Sequence, residues 1–196
     1  TGTALSMAVS PAGNMIATGG GDGSVCLWGA MDGTLLRTIQ GHSDAANVVA
    51  IIPDGNTVVS GGGGGDKTIK VWHAADGSLL RTLTGHSSSV WALAITPDGS
   101  TIVSGGYDAT IRLWNLSDGA PLDTLTGHMG PVRSVTISTD GKTIVSSSGH
   151  PDYAVRVWNL SDGAALRTLT GHTSGIQSVA ISPDGGVIVS AGGSAS

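Results

Sequence analysis

The chain has 196 residues, a net charge of −5 and only nine Lys and Arg, a balance that argues against nucleic acid or an anionic membrane surface as a partner. No apolar run approaches the ~18–20 residues of a spanning helix, and the one cysteine, Cys26, excludes an internal disulfide. Glycine is the punctuation, with 32 residues set between segments rich in Val, Ile, Thr and Ser.

Residues 1–40 carry four apolar segments, at about 4–10, 15–20, 24–29 and 34–39, read here as strands a to d. Residues 41–84, 85–126 and 127–170 repeat that order, each opened by a Gly-His pair. The fullest copy, from Gly85 to Trp114, reads GHSSSVWALAITPDGSTIVSGGYDATIRLW. Residues 171–196 hold strands a (176–182) and b (187–191) and stop in the following turn. Strands a and b, such as VWALAI and TIVSG, are apolar on both faces, as strands wedged between sheets must be. Strand d (LLRTLT) alternates and reads as an outer edge. PDG and SDG turns supply a turn-forming Asp and a glycine able to take positive φ.

Spacing inside the unit is fixed. His42, His86, His128 and His172 stand 18 residues before Ser60, Ser104, Ser146 and Ser190. Asp22, Asp66, Asp108 and Asp152 stand 6 residues before Trp28, Trp72, Trp114 and Trp158. Only the stretch between serine and aspartate changes length. The Gly-His pairs at 41, 85, 127 and 171 lie 44, 42 and 44 residues apart, within the range of four-stranded propeller blades.

This pattern resembles the WD-repeat β-propeller family over essentially the whole chain, and wording such as LWNLSDG and LRTLTGH is similar to its bacterial members. The family's Trp-Asp dipeptide is replaced here by Trp28-Gly29, Trp72-His73, Trp114-Asn115 and Trp158-Asn159. The resemblance implies an all-β fold in one segment, residues 1–196: four complete blades of four antiparallel strands and an a–b half blade. It also implies that Trp donates to Ser or Thr, then to His, then to Asp, within a blade. The sets are His42, Ser60, Asp66 and Trp72; His86, Ser104, Asp108 and Trp114; and His128, Ser146, Asp152 and Trp158. Blade one has Thr18 for serine and no histidine.

His, Ser and Asp are also the residue types of a nucleophilic triad. Repetition in three blades, a tryptophan in each set and the absence of a GxSxG elbow favour a structural role. GGGGGDKT at 61–68 lacks the glycine before lysine and the helix that a phosphate loop needs, and reads as a lengthened, flexible b–c turn. His73 and His150 read as surface residues, and Cys26 as a plain strand residue. No metal or cofactor is expected.

Partner contacts in the family come from two positions early in strand a and one before the turn aspartate. The resemblance carries these onto Ala45, Asn47 and Gly65; Ser89, Trp91 and Tyr107; and Pro131, Arg133 and Pro151. Blade one offers Thr3, Leu5 and Gly21, and the half blade Gly175, Gln177 and Gly193. Trp91, Tyr107 and Arg133 are the side-chain types most enriched at binding hot spots, with Ser89, Asn47 and Gln177 around them. The expected function is a non-catalytic protein- or peptide-binding scaffold. An engineered or excised segment that only self-assembles is the alternative, and a ligand or enzymatic site at the central channel a further one. Blades bury their faces only against neighbours, and strand b of the half blade has an open edge. A homodimer closing a ring is therefore expected, and the lack of a leader suggests a cytoplasmic location.

Overall fold

The structure, a computed structural model, describes residues 2–193. Among these residues every regular element is a strand, and the strands form five antiparallel sheets. The first sheet is β1 (Ala4–Val9), β2 (Met15–Gly20), β3 (Ser24–Gly29) and β4 (Leu35–Gln40), hydrogen-bonded in chain order. The second has β5 (Ala46–Ile51), β6 (Thr57–Gly62), β7 (Ile69–His73) and β8 (Leu79–Leu83). The third has β9 (Val90–Ile95), β10 (Thr101–Gly106), β11 (Ile111–Asn115) and β12 (Pro121–Leu125). The fourth has β13 (Val132–Ile137), β14 (Thr143–Ser148), β15 (Val155–Asn159) and β16 (Ala165–Leu169). A hairpin of β17 (Ile176–Ile181) and β18 (Ile188–Gly192) completes the set. This is an all-β fold of propeller blades, four complete and one half. The glycines of the PDG and SDG turns take positive φ, as at Gly55 (72°), Gly99 (72°) and Gly119 (79°).

Two strands begin one residue later than the sequence suggests. Thr34 stays in its turn because its N–H and hydroxyl both donate to Asp32 Oδ1. Val187 stays in its turn because its N–H donates to Ser182 Oγ. A polar side chain two to five residues back competes with the ladder for the first donor of the strand.

The chain folds as two compact units. One runs up to Trp91 and includes Ser117–Ala120; the other takes Ala92–Leu116 and continues from Pro121. In the first unit, Ala17, Val25, Leu27 and Ile39 of the first blade pack on Ala46 and Val49 of β5, with Val58 and Trp72 behind them. The second unit repeats this twice. Val103, Ile111 and Leu113 meet Val132, Val135 and Trp158, and Val145, Val155 and Val157 meet Ile176 and Val179. Each fully buried Val or Ile contributes about 1.5–3 kcal/mol, so within each unit a blade depends on its neighbour for its apolar face.

Two details set the fit between neighbouring blades. The Val49 N–H donates to Ser6 Oγ (3.1 Å), and the Val179 N–H to Ser134 Oγ (3.3 Å), tying one innermost strand to the next. Gly19 lies so close to β5 that a Cβ there would stand 2.3 Å from the Ala46 carbonyl oxygen. Only hydrogen fits.

One irregularity recurs. The β1–β2, β5–β6, β13–β14 and β17–β18 pairs each shift register early in the inner strand, so that the register passes over Leu5, Asn47, Arg133 and Gln177. An extra residue of this kind bends the strand and re-aims its side chain.

Candidate functional site

The repeated polar residues meet at the centre of each blade. In the second blade, Trp72 Nε1 donates to Ser60 Oγ (2.8 Å), and His42 Nε2 lies 2.7 Å from the same oxygen. His42 Nδ1 stands 3.0 Å from Asp66 Oδ1, although not in line for a well-directed hydrogen bond. In the fourth blade, Trp158 Nε1 donates to Ser146 Oγ (2.8 Å), and His128 bridges Ser146 Oγ (2.7 Å) and Asp152 Oδ2 (2.5 Å). The consistent assignment has Ser O–H donating to Nε2 and Nδ1–H facing the carboxylate. In the third blade, Trp114 Nε1 donates to Ser104 Oγ (2.9 Å) and Thr110 Oγ1 to Asp108 Oδ1 (2.8 Å), with His86 buried. Blade one has Trp28 Nε1 on Thr18 Oγ1 (2.9 Å), and the half blade His172 Nε2 against Ser190 Oγ (2.8 Å).

Electrostatics follow from burial. Desolvation lowers the pKa of His42 and His128 below the ordinary imidazole value, outweighing the pull of Asp66 and Asp152, so both rings are neutral at pH 7. Desolvation works to raise the aspartates, but hydrogen bonds prevail. The Thr68 hydroxyl and the Ser43 N–H, with the His42 ring close by, hold Asp66 well below the usual carboxylate range. His128, Arg156 and Ser148 hold Asp152 down at about 2.

Two members of these sets were not singled out in the sequence. Arg156 pairs with Asp152 at 2.5 Å, and Lys70 stands 3.9 Å from Asp66 while donating to the Gly41 carbonyl. The available signal was a Lys or Arg four residues after the turn aspartate. Cys26 occupies that position in blade one, where its Sγ lies 3.7 Å from Thr38 Oγ1.

The 61–68 turn leads into strand β7. It is tethered by its own chain: Gly65 N–H donates to Asp44 Oδ2 and Gly63 N–H to the Ala45 carbonyl, both at 2.7 Å. A carboxylate and a backbone carbonyl of the protein therefore occupy two of the donors that a phosphate would need. His73 contacts Asp76 Oδ1 (3.1 Å) across its own turn.

Of the expected loop-face residues, Arg133 and Gln177 come together, with Arg133 Nη1 donating to Gln177 Oε1 at 3.0 Å. Asn47 Nδ2 donates to the Val90 carbonyl (3.3 Å), next to Trp91, which is half-buried like Ser89. Tyr107 is exposed. Sequence reasoning treated His150 as a lone surface residue, whereas its Nδ1 lies 2.8 Å from the Tyr153 hydroxyl beside Arg133 and Gln177. The unusual length of the SSSGHPDYA turn was the signal available.

The repeat has a counterpart among known families. The family model described as WD domain, G-beta repeat matches residues 1–29, 33–73, 77–115, 119–159 and 163–195. The 33–73 match begins just before β4 of one sheet and ends with β7 of the next, so the covalent repeat straddles two blades. Comparison with curated proteins gives no match.

Proposed function

The chain belongs to the WD-repeat family, whose members generally serve as protein-interaction scaffolds, and from that premise we propose a non-catalytic platform that presents loop-face side chains to a protein or peptide. The observation that carries this reading is the strand-a bulge, which turns Asn47, Arg133 and Gln177 out of the ladder at the positions expected to meet a partner. Trp91 is the corresponding residue of the third blade, with Ser89 and Tyr107 at that blade's other two positions. A scaffold role for the His, Ser, Asp and Trp sets is supported by the serines. Ser60, Ser104 and Ser146 are each fully buried, out of reach of any substrate.

The test is peptide selection on the purified chain. Selected ligands should lose about tenfold in affinity or more with Trp91→Ala or Arg133→Ala, as expected of hot-spot side chains. Melting should shift little. Undiminished binding by both variants would remove these residues from the interface.

Self-assembly of two copies is a second reading, favoured by a different observation. Met7 is 66% exposed, whereas Val49, Val135 and Val179 at the same repeat position are 5%, 8% and 7% exposed. Val189 is 62% exposed, whereas Val59, Val103 and Val145 are each 0% exposed. These two faces are the two halves of the contact that neighbouring blades make within the chain. We infer that they pair head to tail between copies, with the two-chain ring as the simplest closed form. Sedimentation equilibrium should give a dimer that Met7→Asp or Val189→Asp dissociates. A monomer of 19.4 kDa throughout the micromolar range would end this reading.

A further inference from the structure

We propose that the loop-face cavity beside Arg133 is a site for a single carboxylate group, the side chain of an Asp or Glu in a protein partner. The proposal rests on the platform reading and names what one part of it recognises. The cavity holds about 300 Å3 and is bordered by Arg133, His150, Tyr153, Thr173, Ser174 and Gln177. These side chains offer a guanidinium, an imidazole, an amide and three hydroxyls. None is a carboxylate.

The position of Arg133 is built rather than incidental. The residue is the extra one in the β13 bulge, and its Nη1 is anchored on Gln177 Oε1, itself the extra residue of the neighbouring β17. Gly149 makes room for the guanidinium: a Cβ there would come 2.7 Å from Arg133 Nε, whereas Gly175 leaves ordinary contact space, a Cβ there standing 3.9 Å from the same atom. The nearest acid of the turn, Asp152, is engaged with His128, Ser148 and Arg156 inside the blade, so it does not fill the cavity.

Charge selects the ligand. A planar guanidinium presents its donors as a fork that matches a carboxylate, and one fixed cation balances one carboxylate charge. A phosphate group carries about two charges at neutral pH and favours a cluster of cations, which this cavity does not have among the described residues. The net charge of −5 further disfavours dense polyanions. The favoured ligand is a lone acidic residue in an otherwise neutral segment.

The test is a titration of isotopically labelled protein with N-acetyl-glutamate amide, followed by NMR at pH 7. Saturable shifts are expected at the Arg133 Nε–H and at the Gly149 and Gly175 amides, and N-acetyl-glutamine amide should produce none. Arg133→Gln should weaken the probe about tenfold or more, the loss of a charge-assisted pair. Arg133→Lys should recover only part, because the fork is lost. Gln177→Ala, which keeps the charge and removes its anchor, should weaken the probe with the fold intact by circular dichroism. Inorganic phosphate, run as a parallel arm, should bind more weakly. Tighter phosphate binding, shifts confined to other residues, or no response at tens of millimolar would overturn the carboxylate assignment. Arg133-dependent capture of neutral peptides in any of those cases would leave the platform reading standing, and its loss there would identify that reading as the one that fails.

Discussion

Trp158→Ala is expected to lower the free energy of unfolding by about 3–5 kcal/mol, the range for deleting a buried tryptophan. The ring is 2% exposed and packs with Val132, Val135 and Ile144 in the second unit's core. Its Nε1 donates to Ser146, and its edge lies against Gly127, where a Cβ would stand 3.4 Å from the ring. Truncation thus opens a cavity and also takes a donor from a hydroxyl that has no solvent exposure. Equilibrium urea unfolding measures the effect from the shift in midpoint. Trp158→Phe retains most of the volume and should cost about 1–3 kcal/mol, mainly for the lost donor. A loss below about 1 kcal/mol in the alanine variant would mean that the blade is not organised around this side chain.

Asp152→Ala should cost about 3 kcal/mol, because it leaves buried partners without their acceptor. The carboxylate is 3% exposed and takes contacts from His128 (2.5 Å), Ser148 (2.8 Å) and Arg156 (2.5 Å). The wild-type protein should also lose stability in acid in two stages. His128 and His42 have lowered folded pKa values, so the unfolded chain takes up protons first. Their contribution is complete above about pH 6.5 and declines as pH falls below it. Asp152 is held at about 2, so its contribution is complete above the ordinary carboxylate value near 4 and is lost as pH falls through about 2. Melting temperature against pH should therefore fall below pH 6.5 and again below pH 4. The Asp152→Ala variant should show a shallower second limb. An identical pH profile in variant and wild type would exclude Asp152 as a source of acid sensitivity.

The blade was legible because its signals are covalently periodic. The fixed intervals from His to Ser and from Asp to Trp mark strands b and c and place the buried polar sets, and PDG and SDG mark the turns. What escaped was local geometry that leaves no period. The bulge at Asn47, Arg133 and Gln177 adds one residue to an inner strand while the flanking apolar pattern still reads as a plain strand. The Arg156 and Lys70 contacts were missed because lysine and arginine on a strand read by default as solvated. Here the following aspartate–cation interval of four residues folds back through a turn to close the pair. The neighbourhood of His150 was hidden for another reason: Arg133, Gln177 and Tyr153 come from different segments, and only folding brings them together.

The bulge also has a consequence for how such a protein changes over generations. A residue that belongs to neither the ladder nor the apolar face is free of the two demands that restrict its neighbours. Within this one chain the bulge holds Leu5, Asn47, Arg133 and Gln177, and Trp91 stands at the same repeat position, while the aspartate and tryptophan of the complete blades stay constant. Repeats that must agree in order to stack can therefore diverge at a position exempt from both demands. Side chains there can be exchanged residue by residue, with the architecture left as it is.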